Sequence, residues 1–168
     1  MKVKLLFVFI LMLASLQLFA GESKAWYGFE EGIQLATKEG KHVVIDFYTD
    51  WCKWCKVMDK ETFSVPEVES YLFEHFVPIR INAEGATKKV QFQGQSFTFR
   101  ELTSAFRVTG FPSIAFMTPK SEVITVIPGY IKKDMFLNIL KYVNEECYKS
   151  QITLDEFIEK GCPEPDKK

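Results

Sequence analysis

His42-Val43-Val44-Ile45-Asp46-Phe47-Tyr48-Thr49-Asp50-Trp51-Cys52-Lys53-Trp54-Cys55-Lys56-Val57-Met58-Asp59-Lys60 is the stretch whose reading decides the fold. Its first seven residues are apolar, β-branched or aromatic with almost no polar alternation, which predicts a central strand buried on both faces. Asp46 is the exception inside it. From Cys52 to Lys60 the chain is free of Gly and Pro, and this predicts a helix with Cys52 at its N-terminus. A Cys-x-x-Cys that opens a helix directly after a buried strand sets the second sulfur beside the first, so the pair can close and open a disulfide. The first sulfur lies among unpaired backbone N–H groups at the positive end of the helix dipole, which favours the reactive thiolate. Lys53 and Lys56 add to this if their ammonium groups lie near.

Working outward, Trp26 to Lys38 carries apolar residues at roughly helical spacing and ends at Gly40, a residue common just past a helix C-terminus. On the other side, Ser64-Val65-Pro66-Glu67 has capping-box spacing and opens a helix towards Phe73, and Phe76 to Asn82 reads as a second strand. The order strand, helix, strand is the signature of a parallel pairing. Val90 to Phe99 alternates apolar and polar residues around Gly94, which predicts a hairpin inserted at the surface. Thr98 and Glu101 have the spacing of a capping box for a short helix through Leu102 and Phe106. Ser113–Met117 and Val123–Ile127 read as antiparallel strands, and Met135, Phe136, Ile139, Leu140 and Val143 mark the apolar face of a long helix. Thr153-Leu154-Asp155-Glu156 opens one more helix, and Pro163 to Lys168 reads as a disordered tail.

Of the 168 residues, 47% are hydrophobic and 26% charged, the balance of one ordinary globular domain. A net charge of -1 argues against a nucleic-acid binder, which needs a marked excess of Lys and Arg. At the N-terminus, Lys2 and Lys4 precede an apolar run from Leu5 to Leu16, which predicts a secretory signal peptide. Cleavage is placed after Ala25, where Ser23 and Ala25 fit the small-x-small rule, with Ala20 as the alternative. The run is shorter than the ~20 residues needed to span a bilayer, which argues against an uncleaved anchor. Export to an oxidising compartment lets stable disulfides form, so each cysteine pair is weighed separately.

For Cys52 and Cys55 the competing readings are a redox pair, a plain structural bridge and half of a zinc site. Zinc wants a second closely spaced Cys or His pair, whereas Cys147 and Cys162 have fourteen residues between them and His42 and His75 are isolated. No metal and no organic cofactor are therefore expected. Asp46 lies six residues before Cys52 in the buried strand, where loss of water raises a carboxyl pKa towards neutrality. It is either a proton acceptor for Cys55 or a carboxylate paired with a base such as Arg80. Cys147 is placed on the final long helix and Cys162 after the extra helix. If those helices fold back on each other, the two sulfurs meet in a structural disulfide; a second redox relay is the rival reading.

Val44 to Lys56 resembles the active-site segment of the thioredoxin family, and Arg107-Val108-Thr109-Gly110-Phe111-Pro112-Ser113 resembles the family's cis-proline loop. Gly129 matches a glycine that the family places after its last strand. The resemblance runs from Trp26 to Tyr148 and is closest to bacterial periplasmic thioredoxin-like proteins, including the exported domain of the transmembrane disulfide reductase. It implies an α/β thioredoxin fold: a mixed central sheet flanked by helices, with a hairpin insertion and a C-terminal helical extension. The domains are then residues 1–25 as signal peptide, 26–150 as thioredoxin-like domain and 151–168 as extension and tail. It also implies an exposed dithiol at Cys52 and Cys55, helped by Asp46, and a substrate-contact surface of Trp51, Phe111 and Pro112. The expected function is reduction of protein disulfides by an exported, periplasmic monomer fed by a membrane electron donor. An oxidase or isomerase of the same fold, or a binding module without turnover, is the alternative. Lys53-Trp54 stands where cytosolic thioredoxins have Gly-Pro, and this pair helps to set the redox potential.

Overall fold

The computed structural model describes residues 25–85 and 89–163. The expected signal peptide through residue 24, with the alternative cut after Ala20, and the tail after Pro163 lie outside the described residues.

Strand β1 (His42–Tyr48) forms as the apolar run requires and sits inside a four-stranded sheet of order β2-β1-β5-β6. β2 (Phe76–Asn82) pairs with it in parallel, and β5 (Ser113–Met117) pairs antiparallel on its other side. β6 (Val123–Pro128) closes that edge, antiparallel to β5. The sheet is mixed, and helices cover both faces. Because side chains alternate along a strand, Val43, Ile45 and Phe47 point to one face and Val44 and Asp46 to the other. The first face packs with Phe29, Ile79, Ile81, Leu102 and Phe106 under α1 (Phe29–Glu39) and α4 (Phe99–Ala105). The second packs with Met58, Phe63, Leu72, Phe116, Phe136 and Leu140 under α2 (Lys53–Met58), α3 (Pro66–His75) and α5 (Lys133–Asn144). Asp46 thus faces the layer that carries α2.

Several boundaries differ from the sequence reading for identifiable reasons. α1 starts at Phe29 because Tyr27 is extended and bridges to Ile79: its N–H donates to Pro78 O and its carbonyl accepts from Arg80 N–H. Ser64 caps nothing with its side chain; its N–H closes a π-helical turn over Asp59–Phe63, so Val65 is the N-cap of α3 and Pro66 its first residue. The hairpin β3 (Val90–Phe92) and β4 (Gln95–Phe97) turns at Gln93 and Gly94, both at positive φ, as a two-residue hairpin turn requires. It lies against the core rather than standing off it, with Val90 buried and Phe92 packed on Phe29 and Phe106. The Thr98–Glu101 box caps α4, and the Thr153–Glu156 box caps α6 (Leu154–Lys160). α5 ends at Asn144, so Cys147 stands on a following 3-10 turn, after Glu146 in the left-handed region. Cys147 is joined to Cys162, with the Cα atoms 5.5 Å apart.

Gly32 shows how tightly α1 seats on β2: a Cβ there would lie 2.4 Å from Ile79 Cγ1. Gly32→Ala adds ~1 kcal/mol of helix propensity, but overpacking a filled core costs ~1–3 kcal/mol. Ile79 is fully buried and has nowhere to go. Urea unfolding should therefore show a net loss of about 1 kcal/mol.

Candidate redox site

Cys52 is the N-cap of α2, with an extended backbone, and its Sγ accepts a hydrogen bond from Cys55 N–H at 3.1 Å. One helical turn brings the two sulfurs into a disulfide with the Cα atoms 5.3 Å apart. The exposed dithiol of the sequence reading is corrected here: Cys52 is 4% exposed and Cys55 5%. The N-cap geometry turns the first sulfur back onto the backbone of the first helical turn. What stands in solvent is the flanking pair, Trp51 at 65% and Trp54 at 57%.

Each tryptophan has its own support. Trp51 meets Phe111 edge to face at 6.2 Å, and its Nε1–H donates to Glu84 Oε2 at 2.8 Å. Glu84 sits just beyond β2, where its N–H donates to Asn82 Oδ1, while Asn82 Nδ2 donates to Asp50 Oδ2. Trp54 leans on Tyr130 at 5.5 Å. Phe111–Pro112 is a cis peptide, Pro112 is buried, and its carbonyl accepts from Gly129 N–H at 2.8 Å. Gly129 takes φ +90°, a conformation that suits glycine. Sequence positions 51, 111 and 112 therefore converge on the Cys52–Cys55 end of the sheet.

Asp46 is buried and, as one of the two sequence readings had it, paired with Arg80. In the β1–β2 register it faces Arg80, whose Nε donates to Asp46 Oδ2 at 3.0 Å. The same guanidinium is bonded to Asp59 Oδ1 and stacks 4.2 Å over the Trp26 ring. Burial pushes the Asp46 carboxyl up to about 7; Arg80 opposes this by charge and by its hydrogen bond, and Asp59 adds to it. Asp46 Oδ1 is buried with no hydrogen-bond partner among the described residues, which makes it the oxygen able to hold a proton.

The sequence reading did not single out Asp59, Glu84, Tyr130 or the support around Trp54. Asp59 had a local signal, since it follows Cys55 by four residues, one helical turn. Glu84 and Tyr130 reach the site only through the tertiary fold. Glu145, Cys147 and Cys162 also lie close enough to share an ion, but both sulfurs are bonded to each other.

Comparison with known proteins agrees with this geometry. A family model described as a thioredoxin-like domain matches residues 29–144. The thiol:disulfide interchange protein DsbD of Actinobacillus pleuropneumoniae serotype 5b is 31% identical over 109 residues, covering 64% of this chain and 17% of that protein. The chain thus spans about one sixth of that relative's length. Among solved structures, a thioredoxin-fold protein from Helicobacter pylori superposes with a TM-score of 0.61 at 22% identity, covering 73% of this chain and 80% of that one. The reduced C-terminal domain of DsbD from Neisseria meningitidis gives 0.50 at 26% identity, covering 66% and 90%. With a Cys-x-x-Cys disulfide at the start of α2 and a family match over most of its length, this chain belongs to the thioredoxin-like family.

Proposed function

We propose that this chain is an exported, periplasmic thiol:disulfide oxidoreductase that acts as a monomer and reduces disulfides in other proteins. The observation that carries the reading is the Cys52–Cys55 disulfide at the N-terminus of α2, over a sheet face that holds a buried carboxyl near neutrality. In the reducing direction the Cys52 thiolate attacks one sulfur of the substrate disulfide, forms a mixed disulfide and expels the other sulfur as thiolate. Cys55 then gives its proton to Asp46 and attacks Cys52 Sγ. This restores the Cys52–Cys55 disulfide and releases the second substrate sulfur. The substrate gains two electrons and the chain loses two; a dithiol donor at the membrane returns them by the reverse exchange. Trp51, Phe111 and Pro112 form the apolar contact surface, and the backbone at Pro112 pairs with an extended substrate segment.

Lys53 and Lys56 favour a second direction, because cations beside Cys52 stabilise its thiolate and make a dithiol more oxidising. Both are exposed, where water and salt weaken their effect. Equilibration with glutathione buffers decides between the two. A potential near the ~-270 mV of thioredoxin supports the reductase, and one near ~-120 mV assigns the chain to oxidation instead.

Cys147–Cys162 serves as a structural bridge that fastens α6 to the end of α5, as suits an exported protein whose four cysteines are all paired. Replacing both by Ser should lower unfolding free energy by ~3 kcal/mol, the chain-entropy value for a loop of about this size. The Cys52–Cys55 exchange rate should be unchanged. Denaturant titration and a turnover assay on one preparation check both halves.

A further inference from the structure

Two carboxylates share Arg80. Its Nε donates to Asp46 Oδ2 at 3.0 Å and its Nη2 donates to Asp59 Oδ1. The first acid is buried, whereas the Asp59 side chain is half-exposed. The guanidinium is held between them, because its Cζ lies 4.2 Å from the centre of the Trp26 ring and Phe63 meets that ring edge to face at 5.0 Å. On one side the β1–β2 ladder sets the pairing, since Asp46 and Arg80 are register partners. On the other, Asp59 follows Cys55 by one helical turn, and its N–H donates to Cys55 O. The residue that carries the resolving thiol and the residue that carries the second acid therefore belong to one continuous helical segment.

We infer that Asp59 is a positioning residue for the proton acceptor: by holding one arm of Arg80 it keeps that cation from neutralising Asp46, which stays able to take the Cys55 proton. This deepens the oxidoreductase reading and rests on it. An arginine that serves one buried carboxylate alone lowers that group's proton affinity, by its charge and by its hydrogen bond. At Asp46 burial is the dominant influence and raises the pKa; Arg80 opposes it, and the Asp59 charge works with burial. Without that charge the guanidinium is left with Asp46 as its carboxylate partner among the described residues. The other neighbours do not take the place of Asp59. Burial pushes the Tyr48 hydroxyl up, so it stays a neutral phenol. β5 presents Ile114 opposite Asp46, and the helices on this face bring Met58, Leu72 and Phe136.

The test compares the full chain with its Asp59→Asn and Asp59→Glu variants. In the oxidised protein the Asp46 carboxyl, followed by its carbon resonance, should titrate with a midpoint of about 7 in the parent. In Asp59→Asn the midpoint should fall by about one pH unit, while Asp59→Glu, which keeps the charge, should stay close to the parent. The pH profile of protein-disulfide reduction should move the same way. A weaker base that loses its proton at lower pH makes Asp59→Asn roughly threefold slower than the parent at pH 8 and faster below about pH 6, so the two profiles cross. A merely structural role would lower the rate at every pH and leave the inflection in place. An Asp46 midpoint unmoved in Asp59→Asn, or profiles that run parallel, overturns the role of Asp59 and leaves the oxidoreductase intact. No reduction by the parent at any pH overturns the oxidoreductase reading beneath it, and this role with it.

Discussion

Cys52→Ser is expected to abolish turnover of protein disulfides, while Cys55→Ser performs the first attack and then stalls with substrate covalently bound. The asymmetry follows from the helix start. Cys52 Sγ is the sulfur that accepts a backbone N–H and sits at the positive end of α2, so its thiolate is the stabilised one. Cys55 is one turn inside the helix, placed to attack Cys52 Sγ and release the product. Without Cys55 the mixed disulfide has no internal resolver, so product formation falls by several orders of magnitude, as for loss of any covalent catalytic group. Intact-mass measurement of each variant after incubation with a disulfide protein reads the difference. Turnover by Cys52→Ser, or no adduct on Cys55→Ser, would reverse or remove the assigned roles.

Asp46→Asn should change both stability and pH dependence. The folded-state pKa of about 7 lies above the ordinary 3.8, so between about pH 4 and pH 7 the folded chain keeps a proton that the unfolded chain has lost. Stability from this residue therefore falls as pH rises through that window, with the full cost present above pH 7. Asn removes the cost while Arg80 keeps Asp59 as its partner. The variant should be more stable than the parent at pH 8, by on the order of 2 kcal/mol, with the gain vanishing below pH 4. Its resolving step should slow roughly ten- to a hundredfold and lose the inflection near pH 7, because the amide cannot take the Cys55 proton. Unfolding curves at pH 4 and 8, with a pH–rate profile, test both. An unchanged profile would leave Asp46 a structural residue.

What the sequence made legible was what lies close along the chain. The β1 run, the helix start at Cys52, the hairpin turn and the two Thr–Glu boxes each need only a few neighbours, and each formed. What it hid depended on partners far along the chain. Tyr27 leaves the helix pattern because β2, fifty residues on, offers it backbone partners. Arg80 divides itself between Asp46 and Asp59 only once β1, β2 and the turn after α2 come together. Trp54 read only as half of the pair that helps to set the redox potential, and its contact with Tyr130 came from the tertiary fold. The low exposure of Cys52 is likewise a property of the capped helix start and the side chains packed around it.

The most direct test is graded reduction of the wild-type chain with a mild dithiol, followed by alkylation of the freed thiols and peptide mapping. Label should appear first at Cys52 and Cys55, while Cys147 and Cys162 stay bonded until stronger reductant or denaturant opens them. Label at Cys147 and Cys162 before Cys52 and Cys55 would contradict the assignment of the redox centre.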